Sequence, residues 1–207
     1  MLKKLSKNAK ITISILFVFI GLVLLTFDYF SGIKNNLFNQ KNIELLEQQI
    51  VITEEIDEIT DEPIQDKSVP RDTDDYIGYL SIPDIKLKRG FTSLNSKYNS
   101  VSYNVMLING SDMPDVENGN LILAAHRGNT SVSFFDKLYT LKEGAKATIN
   151  YNNKNYTYTL KTSYLEPKDG VLTIRRREDV NTLTLITCTR KDKSSQTIFI
   201  FELESVE

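Results

Sequence analysis

The hydrophobic pattern divides the chain into three stretches. Residues 11–27, ITISILFVFIGLVLLTF, form an uncharged apolar run. At ~1.5 Å of rise per residue, a helix of this length is near the short end of what crosses a bilayer core. Lys3, Lys4, Lys7 and Lys10 precede the run and Asp28 follows it. Positive charge stays on the cytoplasmic side, so residues 1–10 are expected inside and everything after the run outside. A cleaved signal peptide has an apolar region of ~7–15 residues that ends in small side chains. Here the run is longer and exits into Asp28-Tyr29-Phe30, which favours an uncleaved single-pass membrane anchor. No second apolar run of spanning length follows.

Residues 28–75 are expected to form a stalk. Within them Leu37, Ile43, Leu45, Leu46 and Ile50 give a loose helical stripe over residues 35–53. Residues 54–75 are acidic, contain Pro63 and Pro70 and carry few large apolar side chains. Such a segment buries too little to offset its ordering entropy and reads as a solvated spacer.

From residue 76 to 207 the texture changes to that of a folded domain. Short alternating or apolar runs at 76–82, 101–108, 120–125, 145–151, 156–164, 182–189 and 197–203 predict strands, separated by Gly, Asn, Asp and Pro. Asn152-Asn153-Lys154-Asn155 predicts a hairpin turn, and residues 133–141 a short helix. Many short strands in so few residues predict a mostly β domain, a closed barrel or a sandwich.

Composition removes several classes. A net charge of −2 gives no electrostatic footprint for nucleic acid. One Cys rules out an intramolecular disulfide, and one His rules out a His/Cys zinc cluster. Asp112, Asp115 and Glu117 lack the spacing of a calcium loop and read as surface acids. No cofactor and no metal is expected.

Two segments can carry chemistry. LILAAHRG, residues 121–128, and TLTLITCTR, residues 182–190, are each an apolar run that ends in a reactive side chain. Strand alternation puts Ile122, Ala124 and His126 on one face, and Thr184, Ile186 and Cys188 on one face. If both faces look the same way, a thiol and an imidazole meet above a floor of small and apolar groups, a surface suited to an extended peptide. Thiolate is the nucleophilic form of Cys. An imidazolium stabilises it, and the imidazole can protonate a leaving amine. The plain alternatives are a Cys packed as a small hydrophobe and a His satisfied as an ordinary polar residue. An unpaired Cys outside the cell is what tilts the reading toward reactivity.

These motifs resemble the sortase family of cysteine transpeptidases. TLITC, residues 184–188, is similar to the family's nucleophile signature, and LILAAHRG to the segment carrying its catalytic His. Their separation of 62 positions also fits the family. The resemblance covers residue 76 to the C-terminus. It implies an eight-stranded sortase-like barrel and cleavage of an LPXTG-like sorting signal on a secreted protein. It further implies acyl transfer to an amine of a cell-wall precursor or a pilin, with Cys188 and His126 catalytic. The loop over 166–180 would help select the signal; its Arg175, Arg176 and Arg177 read as a solvated basic loop. The family places an Arg at the start of the strand after the Cys strand, where this chain has Gln196, or Ser195 if the register slips. Arg190, two residues beyond Cys188, is the expected substitute, while Arg127 should point away. A tethered peptide-binding module that has lost activity, or a hydrolase, are the alternative outcomes of the same pattern.

Overall fold

The computed structural model describes residues 7–57, 76–189 and 192–207. One long helix, α1 (Lys7–Asp57), precedes eight strands. They are β1 (Tyr76–Ile82), β2 (Leu87–Thr92), β3 (Met106–Leu107), β4 (Asn120–Ala124), β5 (Lys146–Tyr151), β6 (Lys154–Pro167), β7 (Thr182–Cys188) and β8 (Ser195–Val206). They form a single sheet in the order β2-β1-β5-β6-β8-β7-β4-β3, curled into a nearly closed barrel whose end strands β2 and β3 come into contact.

The interior follows from alternation. Leu121, Leu123, Leu183, Leu185, Phe199 and Phe201 point inward and join Leu80, Ile149 and Tyr158 in one core. Pairing is antiparallel throughout except between β4 and β7, which run parallel. Two parallel neighbours end at the same rim of the barrel. This is how residues far apart in sequence can be delivered to one place.

The expected hairpin is present as a two-residue turn, with Tyr151 opposite Lys154. Asn152 and Asn153 both take positive φ, 48° and 61°, a conformation that Asn tolerates better than most residues. The run over 101–108 yields only the two residues of β3. Asn99 accounts for this: its side chain bonds the backbone N–H and C=O of Leu107 (2.7 and 3.0 Å), and turns fill the preceding residues. The helix expected over 133–141 is replaced by turns and one 3-10 turn at Leu138–Thr140. β2 was not expected. Its Lys88 and Arg89 break the apolar pattern because it is an edge strand, where charge is tolerated.

The helix expected over 35–53 lies within α1, and only part of the apolar stripe docks: Ile43 is buried one turn from Asn39. Leu37 and Leu45 are exposed, whereas Asn39 is buried. The Asn39 amide donates to the Lys88 carbonyl at 3.1 Å, and its oxygen accepts from Gly90 N–H (3.0 Å) and the Tyr76 hydroxyl (3.3 Å). The helix thereby satisfies backbone groups of an edge strand that would otherwise stay open. Gly90 makes the approach possible, since a Cβ there would lie 1.9 Å from the Tyr76 ring.

The expected membrane-spanning helix requires a correction. Residues 11–27 are the early turns of α1, and among the described residues no helix is long and apolar enough to cross a membrane. Seventeen uncharged residues rise ~26 Å, a few Å short of a typical hydrocarbon core, and Lys10 and Asp28 bound the run. Most of the acidic spacer, residues 58–75, lies outside the described residues.

Candidate active site

The parallel register of β4 and β7 pairs Asn120 with Thr182, Ile122 with Thr184 and Ala124 with Ile186. The ladder runs one step further through the Ala125 N–H, which donates to the Ile186 carbonyl at 3.3 Å. The Thr187 hydroxyl then donates to the Ala125 carbonyl at 3.0 Å. The next residues along the chain are His126 and Cys188. β4 ends at Ala124, so His126 lies two residues past the last β4–β7 pair, while Cys188 is the last residue of β7. Cys188 is exposed and free, and His126 is half-buried.

Cys188 lies on the outer face. Ile122, Ile186 and Ile198 are buried there, yet none belongs to the barrel interior. Across β8 and β6 the row continues, with Cys188 opposite Gln196 and Gln196 opposite Glu166. The site is therefore a shelf on the barrel wall. Ile122, Ile186 and Ile198 are buried beneath it, and a row of Glu166, Gln196 and Cys188 crosses β6, β8 and β7 at its rim.

The loop over 168–181 borders this shelf, and its arginines are not simply solvated. Arg175 reaches the buried Glu166 carboxylate at 3.3 Å and stacks over the Tyr164 ring. Its backbone N–H donates to the Tyr164 hydroxyl at 2.7 Å, and that hydroxyl donates to the Thr173 carbonyl at 3.2 Å. Arg176 donates to the Asn118 carbonyl at 3.1 Å. Arg177 pairs with Asp179 at 2.6 Å, which holds the Asp179 carboxyl below its usual range. The loop is solvated, with Arg175 and Arg177 65% and 56% exposed, and Arg175 and Arg176 also reach groups on the barrel.

Arg190, the expected substitute for the family Arg, lies outside the described residues. Arg127 holds its guanidinium over the Tyr139 ring. Gln196 is half-buried and directly opposite Cys188, where it offers a neutral donor. Sequence reasoning missed Lys168, whose Nζ lies 3.3 Å from the Cys188 sulfur. Glu166 and Lys168 come from the end of β6, and only the β6–β8–β7 pairing reveals their nearness to Cys188. Asp112 and Asp115 serve structure, accepting from the Asn120 N–H (3.2 Å) and the Asn152 amide (3.3 Å). Among the described residues no group of three or more His, Cys, Asp or Glu is arranged to hold a metal.

An exposed thiol at the end of one barrel strand, with a His just past the end of its parallel neighbour, is an arrangement that could serve cysteine-based chemistry. The comparisons make the class of protein specific. The family model for the sortase domain matches residues 80–203, more than half of the chain, and the protein belongs to the sortase family. That family consists in general of cysteine transpeptidases. Among solved structures, sortase C1 of Streptococcus agalactiae is 25% identical with a TM-score of 0.56, over 63% of this chain and 68% of that one. A Clostridium perfringens sortase D5 transpeptidase is 21% identical with a TM-score of 0.61, over 81% of this chain and 98% of that one. A lid mutant of sortase A from Corynebacterium diphtheriae is 18% identical with a TM-score of 0.57, over 64% and 72%. The neighbours carry A, C and D designations, so the likeness assigns no subclass. No curated protein sequence matches the chain.

Proposed function

We propose that this sortase-family protein cleaves an LPXTG-like sorting signal on a secreted protein and transfers the acyl group to an amine of a cell-wall precursor or a pilin. The observation that supports the reading is the parallel β4–β7 register, whose last pair lies two residues before both His126 and Cys188, with the sulfur exposed.

The Cys188 thiolate attacks the scissile carbonyl carbon, and the carbonyl electrons move onto oxygen. The tetrahedral intermediate collapses, the C–N bond breaks, and His126 gives its proton to the departing amine. A thioester on Cys188 remains. An incoming amine attacks it, His126 takes the amine's proton, and the sulfur leaves as thiolate. The apolar shelf holds the signal extended, as a strand-like peptide laid across a barrel wall. The tethered 168–181 loop forms one bank of that groove. If water takes the place of the amine, the same site releases a hydrolysed product.

Gln196 at the family's Arg position favours one competing reading, a peptide-binding module of reduced activity, since losing an oxyanion donor costs ~10²–10³ in rate. Product analysis separates the readings. Sorting-signal peptides incubated with the full chain and an amine acceptor should yield ligated product. Binding without ligated or hydrolysed product would support the inactive module. Hydrolysed product alone, unaffected by any acceptor, would make the protein a hydrolase.

We propose in addition that the Lys-flanked apolar run over residues 11–27 holds the chain at the cell membrane, with the barrel on the outer side. Lys3, Lys4, Lys7 and Lys10 ahead of the run support that orientation. In intact cells stripped of wall, protease should reach the barrel. Protection of the barrel would reverse the orientation.

A further inference from the structure

We infer that Lys168 is a catalytic residue of this chain, its ammonium acting at the Cys188 sulfur as the cation that the family pattern draws from an Arg on the following strand. The inference rests on the transpeptidase reading of Cys188 and adds a residue to it.

The geometry is direct. Lys168 Nζ donates to Cys188 Sγ at 3.3 Å, a normal length for a hydrogen bond to sulfur. Lys168 follows Pro167, the last residue of β6, which pairs with Ser195 on β8. The Lys168 N–H donates to the Ser194 carbonyl at 2.8 Å, so the backbone that carries the ammonium is held to the β7–β8 turn. That turn is organised by Asp192, which accepts from the Ser194 N–H (2.8 Å) and from the Ser194 and Ser195 hydroxyls (2.5 Å each). These bonds hold its carboxyl below the usual range, and the Lys168 charge contributes in the same direction. An anion therefore stands near the stem while the ammonium reaches the sulfur.

Among the described residues, four arginines are engaged elsewhere: Arg175 on Glu166, Arg127 on the Tyr139 ring, Arg176 on the Asn118 carbonyl and Arg177 on Asp179. Gln196, opposite Cys188, is neutral. Lys168 thus brings positive charge where Gln196 brings none. Its role needs no proton of its own, because the thiol proton goes to His126. As the sulfur bonds to the carbonyl carbon, negative charge passes from sulfur to the carbonyl oxygen. A point charge on a four-carbon stem can follow it across that short distance.

The test uses the full chain and three variants, Lys168→Met, Lys168→Arg and Lys168→Met/Gln196→Arg. Lys168 is exposed, so Lys168→Met should keep the native circular dichroism and melting temperature. Single-turnover acylation by a sorting-signal peptide should fall about 10²-fold in Lys168→Met. It should recover to within about 10-fold of the parent in Lys168→Arg and in the double variant, where a new guanidinium stands at the family position. The loss should appear in kcat with little change in KM. Alkylation of Cys188 by neutral iodoacetamide, which needs no peptide recognition, should also slow in Lys168→Met. Unchanged alkylation and acylation in Lys168→Met would overturn the inference. If the parent is acylated by no peptide, the transpeptidase reading fails on its own, and the alkylation comparison alone then decides for or against Lys168.

Discussion

Thr187 donates its hydroxyl to the Ala125 carbonyl at 3.0 Å, and each of these residues immediately precedes a reactive one. The bond crosses from β7 to the end of β4 and is buried, since Thr187 is 4% exposed. It fixes the two strand ends at the point where regular pairing stops. Replacing Thr187 with the near-isosteric Val keeps the volume and leaves the Ala125 carbonyl without this donor. A stability loss of about 1–2 kcal/mol is expected in denaturant unfolding. Turnover should fall several-fold, mainly in kcat, because His126 and Cys188 lose their mutual alignment. An unchanged kcat would mean that the strand ends hold their alignment without this bond.

Asn39 offers a test of how α1 is held. Its three hydrogen bonds reach Lys88, Gly90 and Tyr76 on two strands. Asn39→Leu should strand the Lys88 carbonyl and the Gly90 N–H in a buried setting, at a cost of about 1–3 kcal/mol. The helix should then be cut faster in limited proteolysis, while the barrel stays resistant.

Glu166 and Arg175 form an uneven pair, with 9% and 65% of their side chains exposed. Arg175→Met removes the loop's anchor and leaves a buried carboxylate without its cation. Solvent screening at Arg175 limits the stability loss to about 1 kcal/mol. The larger effect should fall on the loop, with faster proteolysis within 168–181 and a raised KM for peptide. Equal KM values in the variant and the parent would separate this loop from substrate recognition.

The phenols at the α1 interface predict a base-labile contact. Burial raises the Tyr76 hydroxyl to about 12 from an ordinary 10.0. Burial and the adjacent Glu47 carboxylate on α1 raise Tyr79 to about 12 as well. A phenol that keeps its proton longer in the folded state contributes stability that is complete below pH 10 and disappears as the pH climbs through 12. Denaturant midpoints should hold steady up to pH 10 and drop between pH 10 and 12. Tyr76→Phe and Tyr79→Phe together should flatten that drop.

The strands that lead to His126 and Cys188 were legible in the sequence, and their parallel pairing preserves sequence offset. His126 and Cys188 are 62 positions apart, and so is every pair in the β4–β7 register. Apolar alternation gave those strands, and Asn152-Asn153 gave the hairpin. What escaped was set by side chains that bond backbone. Asn99 ends the run before β3, and Asn39 docks α1 beside Ile43 by hydrogen bonds that no apolar stripe announces. β2 escaped because an edge strand can carry Lys88 and Arg89. Lys168 escaped because its approach to Cys188 depends on two successive strand pairings, β6 with β8 and β8 with β7. Local pattern carries no trace of such a contact.

The most direct measurement is the intact mass of the full chain after mixing with sorting-signal peptides, followed by peptide mapping. A mass gain equal to the acyl half of one peptide is predicted. It should map to Cys188, be released by hydroxylamine as a thioester, and vanish in Cys188→Ala. In His126→Ala it should form about 10²–10⁴-fold more slowly. No adduct with any peptide, or one that persists in Cys188→Ala, would contradict the account.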